Sequence, residues 1–271
     1  MISEKAHVDP SAKIGKNVTI HPFAFIDKNV EIGDNSIIMP FASIMSGTRI
    51  GNDCRVYQGA IIGAEPQDIR RKGEDSLCKI GDRCVIREHA IINRSIHADG
   101  ATTIGDDTFI CAETHIGHDC HLAGQSVIGN GVTFAGDVEV GKCVILSSNA
   151  ILYEGSKVGD WCFIKGGCRI NGNVPPYIIL AHNPVVYYGV NAQVMRKEGE
   201  KYGFTDSKID DIAKAYRHIY QSGTSVFNAL KRIEADVEPS PERDNILSFI
   251  RDNNLRIVAV PVDLEYSKNS H

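Results

Sequence analysis

Large apolar residues recur at every sixth position of this chain: Val8, Ile14, Ile20, Ile26, Ile32, Ile38, Ile44, Ile50, Val56 and Ile62 follow one another without a miss. The frame resumes at Ile80, Ile86 and Ile92, then runs from Ile104 through Ile116, Leu122, Phe134 and Val158 to Ile170. Two positions ahead of these lies a second lane of mostly small residues, among them Ala12, Ala24, Ser36, Ala42, Cys54, Ala60, Cys120, Ser126, Cys162 and Cys168. A repeat of six with one large and one small inward residue describes a narrow triangular coil, in which the bulky side chain fills the centre and the small one fits beside it. A β-sandwich of alternating strands does not hold such a frame over so long a stretch.

Glycine often follows the large residue, and Ile14-Gly15, Ile32-Gly33 and Ile50-Gly51 recur at intervals of eighteen, so three hexads make one coil. Triplets such as Gly15-Lys16-Asn17, Gly33-Asp34-Asn35 and Gly51-Asn52-Asp53 suit tight corners that need a positive φ. Coils stacked through parallel-strand hydrogen bonds at about 4.8 Å would build a prism of roughly nine coils, on the order of 40 Å long.

The repeat breaks at 64–79 and again at about 93–103, and both gaps keep the frame. Loops inserted in a rigid solenoid are where a binding site is added, although a solvated loop is the plain alternative. Pro175-Pro176 ends the coil, and an irregular stretch is expected to about Asn191. Thereafter Ile209, Ile212, Ala213, Tyr216, Ile219 and Tyr220 follow helical spacing, with Asp206 and Ser207 as capping candidates. Two more helices are expected at about 224–236 and 240–253, with a tail from Arg256 that is apolar to Val262. The division expected is therefore a β-helix over 1–190 and a helical domain over 191–271.

A chain of 271 residues that is 42% hydrophobic can bury a sizeable core, and a formal charge of -5 gives no general reason to expect nucleic acid. Met1-Ile2-Ser3-Glu4-Lys5 lacks a leader pattern and no apolar run of eighteen residues occurs, which points to the cytoplasm and to no transmembrane segment. The 8 cysteines form no CxxC pair and no zinc spacing. Cys54, Cys78, Cys84, Cys120, Cys162 and Cys168 fall in the small inward lane, so reduced core thiols are expected.

The run His115-Ile116-Gly117-His118-Asp119-Cys120-His121 carries the most chemistry. Ile116 belongs to the core lane, so the flanking histidines are expected near a corner and facing outwards. Histidine takes and returns a proton near neutral pH, and Asp119 could fix its tautomer. A cluster of plain surface histidines fits the same pattern.

Several motifs in order carry a resemblance: the hexads, Pro66-Gln67-Asp68, the His115 to Cys120 run, Asn173-Val174-Pro175-Pro176-Tyr177, Gly189-Val190-Asn191, Ala215-Tyr216 and Ile219-Tyr220-Gln221-Ser222-Gly223. Over its whole length the chain resembles the bacterial UDP-N-acetylglucosamine O-acyltransferases that begin lipid A synthesis. The resemblance implies a left-handed parallel β-helix, a mainly β hexapeptide-repeat solenoid with a C-terminal α-helical domain. It also implies a homotrimer with sites between chains, no cofactor and no metal. The substrates implied are UDP-N-acetylglucosamine and an acyl carrier protein bearing a long 3-hydroxyacyl chain.

By the same resemblance His118 is the general base acting on the sugar 3-hydroxyl, Asp119 supports it, and the backbone amide of Gly136 meets the oxyanion. Asp68, Arg70, His115, Glu154, Asn191, Gln193, Arg196 and Lys197 are implied substrate contacts, and Gly167 lies where acyl length is limited. Arg70 stands where the family often has Lys, and Glu198 where another Arg is common. Asp137 replaces a His, and Tyr153-Glu154 replaces His-Gln near the sugar and acyl groove. Rival readings are a hexapeptide-repeat acetyltransferase using acetyl-coenzyme A, a zinc lyase ligated by His115, His118 and His121, and a non-enzymatic solenoid binder.

Overall fold

A computed structural model describes residues 1–73 and 75–259. The large residue of each hexad closes a short strand, as in Lys13–Ile14, Thr19–Ile20 and Phe25–Ile26. Every third strand pairs in parallel with the next of its kind, and three sheets of nine, nine and ten strands result. Pairs such as Val127 with Ile145 and Ile145 with Phe163 are eighteen residues apart, one coil each. The insertions stretch single coils without moving the register, since Ile61 still pairs with Ile91 and Ile91 with His115. The fold is a left-handed parallel β-helix with short C-terminal helices.

Inside the prism Ile26, Ile44, Ile62, Ile92 and Ile116 are wholly buried, and so are Ala24, Ala42, Ala60 and the six lane cysteines. All 8 cysteines are free thiols. Burial pushes Cys78, Cys120 and Cys162 up to about 12, which keeps them protonated and unreactive.

The corner triplets divide their work in a way that the pattern alone does not reveal. Positive φ falls on the third member, Asn17, Asn35 and Asp53, at 57°, 59° and 57°. Gly33 serves close approach instead: a Cβ there would lie 2.6 Å from the carbonyl carbon of Gly51 in the next coil. Glycine is needed where coils touch, and Asn or Asp where the chain turns.

The three faces present different outer lanes. We call the sheet that contains His115–Ile116 the first face, that with His121–Leu122 the second and that with Val127–Ile128 the third. The second face is a charged ladder in which Lys13 meets Glu31 at 2.8 Å and Lys157 meets Glu139 at 2.9 Å. The third shows Phe109, Val127, Ile145 and Phe163 in register.

Beyond the coil the expected irregular stretch is instead a hairpin: Ile178–Ala181 continues the third face and Val186–Val190 returns antiparallel to it. Helices α1 (Ala192–Lys197) and α2 (Gly199–Tyr202) were too short to show a period and escape the sequence reading. Helix α3 spans Asp206–Tyr220, α4 Val226–Asp236 and α5 Pro241–Asp252. The cap of α3 is Thr205, not Asp206 or Ser207: its extended backbone lets its hydroxyl accept from Lys208 N, and Asp206 is the first helical residue. Ala215, rather than Ala213, completes the buried face of α3.

Tyr216, fully buried, donates its hydroxyl to the Pro176 carbonyl at 2.5 Å and ties α3 to the end of the coil. Of the tail, Ile257 bridges Asn173 in parallel, while residues 260–262 of its apolar run lie outside the described residues. No helix among the described residues is long and apolar enough to cross a membrane.

Candidate active site

His115 lies on the first face, next to core Ile116, and two residues on the chain reaches the corner that leads to the second face. Asp119 makes that turn at a φ of 57°. His118 lines a cleft outside the core, but it is sheltered rather than open to solvent as a surface histidine would be: both His118 and Asp119 are 7% exposed. His118 is roofed by Gly136, the residue one coil further on. A Cβ at that position would come within 2.9 Å of the His118 Nδ1 and closer still to Cε1 and Nε2. Glycine is required there to leave room for the ring. Among the described residues the Gly136 backbone N–H donates to no group.

His118 stands between two carboxylates. Its Nδ1 is 2.9 Å from Asp119 Oδ2, and its Nε2 is 3.2 Å from Asp68 Oδ2. Asp68 arrives on the first insertion, whose backbone is anchored by a bond of 2.7 Å from Asn93 Nδ2 to the Glu65 carbonyl. Arg70 grips Asp68 at 2.6 Å and Glu154 at 2.7 Å, closing a chain of charges over the cleft. Hydrogen bonds from Arg70 hold the Asp68 carboxyl well below the usual carboxylate range.

For Asp119, burial works against ionisation, yet hydrogen bonds from Ser95, His118 and Ile96 N together outweigh it and lower its pKa. Burial pushes His115 below the ordinary histidine value, which favours a neutral ring. Because burial penalises its charged form, protonating His115 costs stability, so stability is lost as the pH falls below its unfolded value of about 6.5.

A cleft of about 400 Å³ opens in front of these groups, lined by Asp68, His115, His118, Gly136 and Glu154 together with Gln67, Asn93, Thr133 and Tyr153. Gln67, Asn93 and Thr133 are additions to the contacts expected from sequence, whereas Tyr153 was already placed near the groove by the resemblance. Asn93 and Gln67 sit in the breaks of the hexad frame, which were the signal for Asn93, while Gln67 also belongs to the Pro66-Gln67-Asp68 motif. His121 belongs to the second face, where its Nδ1 is 2.8 Å from Thr103 Oγ1. The three histidines therefore diverge, and among the described residues no group of three His, Cys, Asp or Glu could hold a metal ion.

Asp68, Arg70, His115, His118, Asp119, Gly136 and Glu154 are thus brought together, but the other expected residues are not. Asn191 is fully buried and donates its Nδ2 to the Trp161 carbonyl at 2.8 Å, at the corner between the second and third faces. Its Oδ1 is buried without a partner among the described residues. Gln193, Arg196 and Lys197 are exposed on α1, and Arg196 pairs with Asp206 at 2.8 Å. Gly167 occupies the third corner, at a φ of 73° and with open space around its Cβ direction. The arrangement at His118 can move a proton: a ring held at Nδ1 by a buried carboxylate presents Nε2 to the cleft, and a substrate hydroxyl reaches it once Asp68 gives way.

Residues 173–258 match the family described as domain 2 of UDP-N-acetylglucosamine O-acyltransferase, and residues 29–64 match the bacterial transferase hexapeptide of six repeats. A Chlorobaculum parvum protein named acyl-[acyl-carrier-protein]--UDP-N-acetylglucosamine O-acyltransferase is 41% identical over 249 residues, covering 92% of this chain and 93% of its own. The solved UDP-N-acetylglucosamine acyltransferase of Bacteroides fragilis superposes with a TM-score of 0.90 at 42% identity, over 93% of this chain and 97% of its own. That of Acinetobacter baumannii gives 0.89 at 30% identity, over 95% and 99%.

Proposed function

The chain belongs to the UDP-N-acetylglucosamine O-acyltransferase family and is an acyltransferase, and from this we propose that it moves a long 3-hydroxyacyl chain from acyl carrier protein to the 3-hydroxyl of UDP-N-acetylglucosamine. The observation that carries the reading is His118, with Nδ1 on Asp119 and Nε2 towards the cleft, beneath the unpartnered amide of Gly136. Nε2 takes the proton of the sugar hydroxyl as its oxygen attacks the thioester carbonyl. The resulting oxyanion accepts from Gly136 N–H, while Asp119 stabilises the imidazolium. Collapse breaks the carbon–sulfur bond, and His118 returns its proton to the departing thiol of the carrier. No protein nucleophile takes part, in keeping with the six lane cysteines held in the core.

Asp68, Arg70, His115 and Glu154 are the proposed contacts to the nucleotide sugar from this chain. Asn191, Gln193, Arg196 and Lys197 sit at another corner, so their proposed contacts require a neighbouring chain, and this favours a homotrimer with sites shared between copies. The apolar outer lane of the third face suits such packing. Gly167 leaves room for a long acyl chain, and the reaction is placed in the cytoplasm.

The test combines the protein with UDP-N-acetylglucosamine and 3-hydroxyacyl carrier proteins of several lengths, beside His118→Ala. Transfer by the wild type with a loss of about 10²–10⁴-fold in kcat for the variant is expected. Equal rates would overturn the base, and no transfer from any donor would overturn the substrates.

A further inference from the structure

We propose that Ser95 is a positioning residue for proton transfer: the second insertion carries its hydroxyl beneath the active-site corner, where it fixes the Asp119 carboxylate and, through it, the tautomer of His118. The inference rests on the reading of His118 as the base.

The break in the hexads at 93–103 has a job that a solvated loop does not explain. Ser95 is wholly buried, and its Oγ donates to Asp119 Oδ1. Ile96 N donates to Asp119 Oδ2 at 3.1 Å, the oxygen that also faces His118 Nδ1. Thr102 Oγ1, at the far end of the same insertion, accepts from Asp119 N at 2.8 Å. The corner aspartate is thus held by its side chain and its backbone from one segment.

That segment is itself braced. His97 N donates to Ser95 Oγ at 2.9 Å, the single hydroxyl proton has Asp119 Oδ1 far nearer than its other acceptor, the His97 carbonyl at 3.4 Å, and Ser76 Oγ donates to the Ser95 carbonyl at 2.6 Å. Gly100 closes the seat, because a Cβ there would run into Ser95 Oγ.

A buried carboxylate needs about this many donors to stay ionised, and a fixed anion at Nδ1 keeps the proton on that nitrogen and the lone pair on Nε2. The other charged or titratable groups that bear on the pair are few. Asp68 faces Nε2, with Arg70 behind it, and His97 lies in the same insertion. Asp137 follows in the next coil, its backbone N donating to the His118 carbonyl at 3.0 Å. None of these replaces the donor that Ser95 gives to Oδ1.

The experiment uses the full chain with Ser95→Ala and Ser95→Thr. For Ser95→Ala a fall of about tenfold in kcat is expected, with the sugar KM within about twofold, as for a lost hydrogen bond to a charged group. The acidic limb of its kcat–pH profile should move to higher pH, because the coupled pair takes up its first proton more readily. Ser95→Thr, which keeps the hydroxyl, should restore most of both. Imidazole ¹⁵N shifts, with His118→Gln to assign the signal, give a readout that needs no turnover. The wild type should show the Nδ1–H form, and Ser95→Ala a mixture. Wild-type kcat, pH profile and ring shifts in a folded Ser95→Ala would overturn the inference. A tautomer change in a protein that transfers no acyl group would uphold it and overturn the proposed substrates instead.

Discussion

Phe134 fills the core and Asp137 turns the corner at a φ of 58°, so Gly136 between them faces the imidazole of His118 one coil away. A single methyl group at Gly136 would push that ring from its place. Gly136→Ala is expected to lower kcat about 10²-fold, the scale of a misplacement near 1 Å, with little change in melting temperature. Steady-state kinetics beside a melting curve check this, and an unaltered kcat would mean that the ring tolerates the contact. At this scale His118 and Asp119 were readable in the sequence as neighbours at one corner, but neighbours there need not bond, and the contact of 2.9 Å between them came from the structure. Asp68 and Ser95 were not readable as partners of that pair, since each comes from an insertion whose path no periodicity describes.

Each hexad specifies its own strand, and the element scale is where the sequence spoke most directly. The capping serines of α4 and α5, Ser225 and Ser240, accept from Asn228 N and Arg243 N, and Pro241 opens α5. Where coils touch, side-chain absence matters more than backbone freedom. Gly33→Ala would set a Cβ against rigid backbone of the next coil, not against a flexible side chain. A destabilisation of about 2–4 kcal/mol is expected, read from denaturant midpoints, because the solenoid cannot widen at one rung alone. Asn17→Gly at a turning position should cost far less, for glycine accepts positive φ at no steric cost. Equal effects of the two would contradict the division of labour within the corner triplets.

For the whole molecule the contrast between faces matters most. Ion pairs along the second face are exposed and each contributes at most about 1 kcal/mol, but they mark that face as one that suits water. On the third face Val127 is 43% exposed in the midst of an apolar lane. If the proposed trimer packs through this face, Val127→Glu should leave the monomer fold intact and shift sedimentation from trimer towards monomer. Activity should fall with it, because the contacts proposed for Asn191 and Lys197 at the His118 corner of another copy would then be lost. A fully active monomeric wild type would defeat the shared-site reading.

The sequence by itself determined the coil, its three hexads per turn, the cysteines of its small inward lane and the three longer C-terminal helices, because each depends on a period that local spacing records. The His118–Asp119 pair came with it, as neighbours at one corner. Only the tertiary structure decided that His118 is sheltered and held between Asp68 and Asp119, that Gly136 exists to clear its ring, and that the second insertion builds a seat for Asp119. It also decided that Asn191 and Lys197 lie at a different corner from His118. The reason is physical: repeats fix position along the prism, whereas insertions and the chain beyond the coil have no period and are placed by contacts between distant segments.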